Sequence, residues 1–187
     1  MVFQHCSLAE VLKYQNESVV KRFMMLYDVD LEQSADIFGE TKKWLWLASH
    51  PESRGLTMSD AIFVIDEMWH NFILFTPDYT DFCQKSFGHY FHHGLGVHQF
   101  KKQLAAASRP KEEQMKAFHE QCAFISHYLG ASTLIKWFVE YPQDYDQEFF
   151  NHRRRDKSLS WPLAPEIQLL AKYFNQDRIK IATAQGS

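Results

Sequence analysis

A chain of 187 residues carries enough apolar surface for one domain, or for two small ones sharing a core. Its 20 basic residues against 23 acidic ones leave a net charge of −3, which argues against a general electrostatic grip on nucleic acid or anionic lipid. Sixteen phenylalanines, eight tyrosines and five tryptophans promise a bulky aromatic core, and seven glycines leave little room for a turn-rich β fold.

Helical periodicity dominates, and no stretch alternates at period two. Ser7 can cap a first helix carrying Leu8, Val11 and Leu12. A second presents Val19, Val20, Phe23, Met24 and Tyr27. Asp30 can cap a third, with Leu31, Ala35, Phe38, Leu45 and Ala48 facing inward, which ends before Pro51. After a polar loop holding Pro51 and Gly55, Ser59 is placed to cap a helix that runs to about Phe75. Thr76-Pro77 restarts the chain at the position where a missing donor costs nothing, and Gly88 is the natural stop. A shorter helix from about His98 breaks at Arg109-Pro110, and a long one runs from Lys111 to near Gly130. Further helices are expected around Leu134–Tyr141, Tyr145–Arg153 and Pro165–Phe174. The fold expected is all-α: eight or nine helices in a single globular domain over 1–174, built around a central helical hairpin, with a polar tail over 175–187.

The stretch from Asp66 to His93 carries the chemistry. On a wheel at ~100° per residue, the apolar arc holds Met68, Phe72, Ile65, Trp69, Ile62, Ile73, Phe63 and Leu74. Asp66 and His70 fall inside that arc, one turn apart, while Glu67 and Asn71 make the polar face. This predicts an acid and an imidazole aimed into the core. Burying each without a partner costs on the order of 2–7 kcal/mol even when neutral, so neighbours must answer them. Loss of the imidazole in His70→Ala is then expected to cost about 2 kcal/mol or more.

The following helix offers Tyr79, Phe82, Cys83, Ser86 and Phe87 on one face, and after Gly88 come His89, His92 and His93. One reading is a transition-metal site, zinc first, with His70, Cys83 and one or both of His92 and His93 as ligands. Asp66 would be a fourth ligand or would orient His70, and Trp69, Tyr79 and His89 would support the set from around it. The other reading is a buried hydrogen-bond network in which Asp66 holds His70, Tyr79 closes the ring and Cys83 is a small core residue. The spacing has no CxxC or HExxH register that would choose between them.

The same residues carry a family resemblance. Asp66, Trp69-His70, Ile73-Leu74, Thr76, Tyr79, Phe82-Cys83, Gly88 and His92-His93 resemble the D-x-x-W-H…Y-x-x-F-C…G-x-x-x-H-H signature of the glycine-rich domain-containing protein-like family. Weaker similarity reaches upstream through Trp44-Leu45 and downstream through Phe118, Tyr128, Gly130 and Trp137. The resemblance implies a helical domain without a transferable reaction, and it implies that His92 matters more than His93. The glycine-rich segment that names the family is absent from this sequence, so RNA association is not carried over.

Three scattered cysteines, Cys6, Cys83 and Cys122, make no disulfide framework. No apolar run approaches a membrane span, and Met1–Leu8 lacks the pattern of a secretory signal. An intracellular, reducing, cytoplasmic setting is expected, with a protein partner rather than nucleic acid or membrane. Arg153-Arg154-Arg155 with Lys157 reads as a solvated helix end. Trp44 and Trp46 face different directions, so one of them could serve an interaction surface, although packing against a second helix layer is the expectation. Three functions remain in view: a metal-binding or adaptor module, a metal-dependent enzyme using Asp66 or Tyr79 as the acid–base group, and a structural network with function elsewhere.

Overall fold

The computed structural model describes residues 6–53, 56–93 and 109–152, all within one compact unit that ends at Arg155. The expected helices from His98 and over Pro165–Phe174, the Arg153–Lys157 basic run and the 174/175 boundary lie outside the described residues. Among those described there is no strand, and the architecture is all-α as expected.

Side-chain caps set the early helix boundaries. Helix α1, Leu8–Lys13, opens on Ser7, whose hydroxyl accepts from the Glu10 amide. Asn16 caps α2, Glu17–Leu26, through the Val19 amide. Asp30 and Gln33 form a reciprocal capping box at the start of α3, Leu31–Ala48. The next helix departs from expectation at its start. A 3-10 turn over Asp60–Ile62 leads into α4, Phe63–Ile73, and Ser59 makes no capping hydrogen bond. Helix α5, Thr76–Phe87, carries Pro77 in its first turn and ends on left-handed Gly88, φ 76°. Helix α6 is Lys111–Leu129, closed by Gly130.

Beyond Gly130 the chain makes α7, Ala131–Ile135, a π-helical stretch over Lys136–Glu140, α8, Tyr141–Asp144, and α9, Gln147–His152. The π-helical stretch sits just before Pro142, which has no N–H to continue an α-helical ladder, and the Tyr141 amide bonds back to the Lys136 carbonyl.

Helix α3 is the hub. Ile37, Phe38, Trp44, Leu45, Trp46 and Leu47 are all buried, so both tryptophans pack and neither forms an exposed surface. Full burial of such side chains contributes roughly 1.5–3 kcal/mol each. The polar groups on α3 are answered. Ser34 donates to the Val20 carbonyl at 2.9 Å, and Lys42 donates to the Leu12 and Tyr14 carbonyls at 3.0 and 2.6 Å, capping the end of α1. Glu40, 4 % exposed, accepts from Trp137 Nε1 at 2.8 Å and from Lys43 at 2.8 Å. Helix α4 lies against α3 and α2 as well as α5, so the α4–α5 hairpin is not a self-contained centre.

Candidate functional site

Burial on α4 corrects the wheel. Ile62, Val64, Ile65, Met68, Trp69, Asn71 and Phe72 are buried, so the covered arc centres on Met68 and Phe72. The opposite face carries Phe63, 39 % exposed, and Leu74, 64 % exposed, and between them lies His70 with a side chain 47 % exposed. Counting Phe63 and Leu74 as core residues had pulled the expected apolar arc around onto His70. Asp66, with a side chain 16 % exposed, sits at the edge of the covered face rather than within it. The buried polar residue of this helix is Asn71. Arg22 Nη1 donates to its Oδ1 at 2.5 Å, and its Nδ2 donates to the Val19 carbonyl at 2.9 Å.

The Asp66 carboxylate is answered from beyond α5. After Gly88 the chain leaves α5 and passes back along α4, held by a clamp of three aromatic residues. Trp69 Nε1 donates to the Tyr79 hydroxyl at 2.9 Å, and that hydroxyl donates to the Phe91 carbonyl at 2.6 Å. The Phe91 ring stacks on Trp69 with centroids 5.6 Å apart. This brings His93 edge-on against Trp69 at 4.1 Å and beside His70 at 4.3 Å, centroid to centroid. His93 Nε2 then lies 2.8 Å from Asp66 Oδ1, with its side chain 20 % exposed. His70 Nδ1 stands 3.8 Å from Asp66 Oδ2 and 3.6 Å from Glu67 Oε1.

Asp66, His70 and His93 therefore form one group, each offering a ligand atom within 4.8 Å of the others. Cys83 and His92 are not brought into it. Cys83 is buried on α5 beside the Tyr79 hydroxyl and the Phe91 backbone, and desolvation pushes its thiol above the ordinary range. His92 points away, its exposed ring 4.7 Å from that of Tyr90, so the pair member that reaches the cluster is His93. His89 is exposed and turns back on the Phe87 carbonyl at 3.0 Å. Tyr79 closes no ring with Asp66. Its buried hydroxyl, raised far above the ordinary tyrosine value chiefly by desolvation, serves the clamp instead.

Glu67 is the residue that sequence reasoning missed. It is partly buried, and its Oε2 accepts a short hydrogen bond from the Tyr27 hydroxyl of α2, which leaves Oε1 turned toward His70. The available signal was its position three residues before His70, but the wheel assigned Glu67 to open solvent.

The fold and site define a class: an all-α domain in which α4 and the passage that follows α5 bring together two imidazoles and a carboxylate. The chain belongs to the UCP032817-like family, which it matches over residues 7–123. That span contains α1 through α5, Asp66, His70 and His93, and most of α6. No curated protein and no solved structure matches the chain.

Proposed function

We propose that the protein is a metal-binding helical module, in which Asp66, His70 and His93 hold one divalent transition ion, zinc in the first instance. The observation that carries this reading is the convergence of two imidazoles and one carboxylate from separate chain segments on one spot. That donor set suits zinc or iron(II) and leaves coordination positions open. Atoms bound to one zinc at about 2.0–2.1 Å stand no more than about 4 Å apart. The present spread of up to 4.8 Å closes with a contraction of roughly 1 Å. His70, half in solvent, has the freedom to supply it. Ligation through His93 Nε2 takes the ring in the tautomer that carries its proton on Nδ1, so the ion would replace the present hydrogen bond to Asp66.

A second reading has a specific observation in its favour. The 2.8 Å contact between His93 and Asp66 is already a complete hydrogen bond, which ties the chain after Gly88 to α4 without any ion. Thermal melting with and without a chelator separates the two. Under the metal reading, chelation lowers the melting temperature of untagged wild type and leaves His70→Ala and His93→Ala unmoved. Equal responses in all three proteins overturn it. The exposed side chains of Phe63 and Leu74 on α4 support a role in meeting an apolar partner or ligand near this face. No helix among the described residues is long and apolar enough to cross a membrane.

A further inference from the structure

From the geometry around Glu67 we infer that the site is hydrolytic, with Glu67 as general base toward a water held on the ion and a carboxylic ester as substrate class. The inference rests on the metal reading above. Glu67 Oε1 lies 3.6 Å from His70 Nδ1, yet Glu67 falls outside the group whose ligand atoms lie within 4.8 Å of one another. It is therefore displaced from the ion's own shell and near enough to serve what the ion binds. A ligand water sits about 2 Å from zinc, and a base takes its proton across about 2.6–3.2 Å, so the base oxygen belongs roughly 4–5 Å from the ion. A carboxylate next to a ligand atom but outside the ligand group meets that requirement.

The second oxygen of Glu67 is fixed by the Tyr27 hydroxyl, a hydrogen bond between α2 and α4 that leaves Oε1 for substrate chemistry. Tyr27 is a positioning residue in this account. Tyr79 and Asp66, the acid–base candidates read from the sequence, are both otherwise engaged: Tyr79 in the buried clamp and Asp66 on His93.

The surroundings select the substrate class. Two carboxylates within one turn repel phosphate esters, and Arg22 of α2 is already bound to Asn71 rather than turned outward. Exposed Leu74, one turn beyond His70, and Phe63, one turn before Glu67, offer apolar contact to an acyl group on either side of the site. In the reaction Glu67 removes a proton from the water as its oxygen bonds to the ester carbonyl carbon. The carbonyl oxygen takes the electron pair and gives it back, re-forming the C=O bond, as the alkoxide leaves. When the carbon–oxygen bond to the alkoxide breaks, Glu67 returns the proton to the alkoxide, giving carboxylic acid and alcohol.

The test uses untagged full-length protein loaded with zinc, with p-nitrophenyl acetate as the reporter ester and acetohydroxamate as a ligand that binds zinc and yields a proton to a neighbouring base. Glu67→Gln, which keeps the size and the Tyr27 contact, is expected to hold zinc within about twofold of wild type. Its kcat should fall at least about 100-fold, with KM little changed. Acetohydroxamate should bind it at least tenfold more weakly. Tyr27→Phe is expected to lower kcat by a smaller factor, again without loss of zinc. Zinc-bound wild type that hydrolyses no faster than free zinc overturns the inference alone, as does Glu67→Gln turning over like wild type. Failure of wild type to bind zinc overturns the metal reading and this inference together.

Discussion

His70 and Asn71 exchange the environments that helical periodicity assigns to them, and their energetics exchange accordingly. His70 is half in solvent, with Asp66 and Glu67 near but beyond hydrogen-bond distance, so in metal-free protein His70→Ala should change folding stability by less than about 0.5 kcal/mol. Asn71 answers both Arg22 and the Val19 carbonyl in a buried setting. Asn71→Ala should therefore cost about 2–3 kcal/mol, because it strands a charged donor and a carbonyl. Urea unfolding of the two variants checks both figures, and a reversed order would restore the inward-facing histidine. A third residue gives a pH signature. Burial brings Lys42 down to about 8 from 10.5, so the folded state loses this proton before the unfolded state does. Stability then rises with pH between about 8 and 10.5, by at most about 3 kcal/mol, and the contribution is lost as pH falls through 8. The buried Tyr145, raised to about 12, and the thiol of Cys83 act in the opposite sense from about pH 9 upward. The comparison that isolates Lys42 is thus the difference between wild type and Lys42→Met across pH 8 to 10. A difference that does not change with pH contradicts the account.

At the level of elements, caps were legible and backbone irregularities were not. Ser7, Asp30, Gly88 and Gly130 mark ends where a side chain or a glycine does a local job, and such jobs are written in the sequence. The 3-10 turn before Phe63 and the π-helical stretch before Pro142 depend on what lies opposite them. Lys136, Trp137 and Tyr141 all reach the Asp36 and Glu40 carboxylates of α3, at 2.5–3.3 Å. Those contacts lie on the π-helical stretch and the residue after it, and act together with Pro142. Glu40→Ala should destabilise by about 3 kcal/mol or more, since Lys43 and the Trp137 N–H lose their shared acceptor. Differential scanning calorimetry would read it, and a loss below about 1 kcal/mol would show that the network is incidental. The aromatic clamp of Trp69, Tyr79 and Phe91 acts on the site rather than the core. Tyr79→Phe removes the hydroxyl that holds the Phe91 carbonyl, and so loosens His93. Zinc affinity should fall 10–100-fold, as is typical when the group orienting a ligand is lost. Unchanged affinity would mean that His93 needs no clamp.

Across the whole molecule, helical periodicity and the dearth of glycine pointed to an all-α architecture. They did not specify that α3 would be its centre. Four consecutive buried residues, Trp44, Leu45, Trp46 and Leu47, look non-periodic in sequence and make sense only for a helix covered on several sides. The site was legible as a neighbourhood, because Asp66, His70 and His93 were all among the candidates. The choice among them was not, because it turns on a non-helical passage, Gly88 to His93, whose path is fixed by Tyr79 and Trp69 and by no local periodicity. Cys83, attractive by composition, faces the same clamp from its buried side.

The central claim is that Asp66, His70 and His93 are one ligand set, and metal stoichiometry tests it most directly. Untagged protein is dialysed to equilibrium against buffered zinc and its metal measured by mass spectrometry, beside Asp66→Ala, His70→Ala, His93→Ala and, as controls, Cys83→Ala and His92→Ala. The account predicts one zinc per chain in wild type and in both controls, and less than a tenth of that in the three cluster variants. Wild type that retains no zinc, or cluster variants that retain as much as the controls, would contradict it.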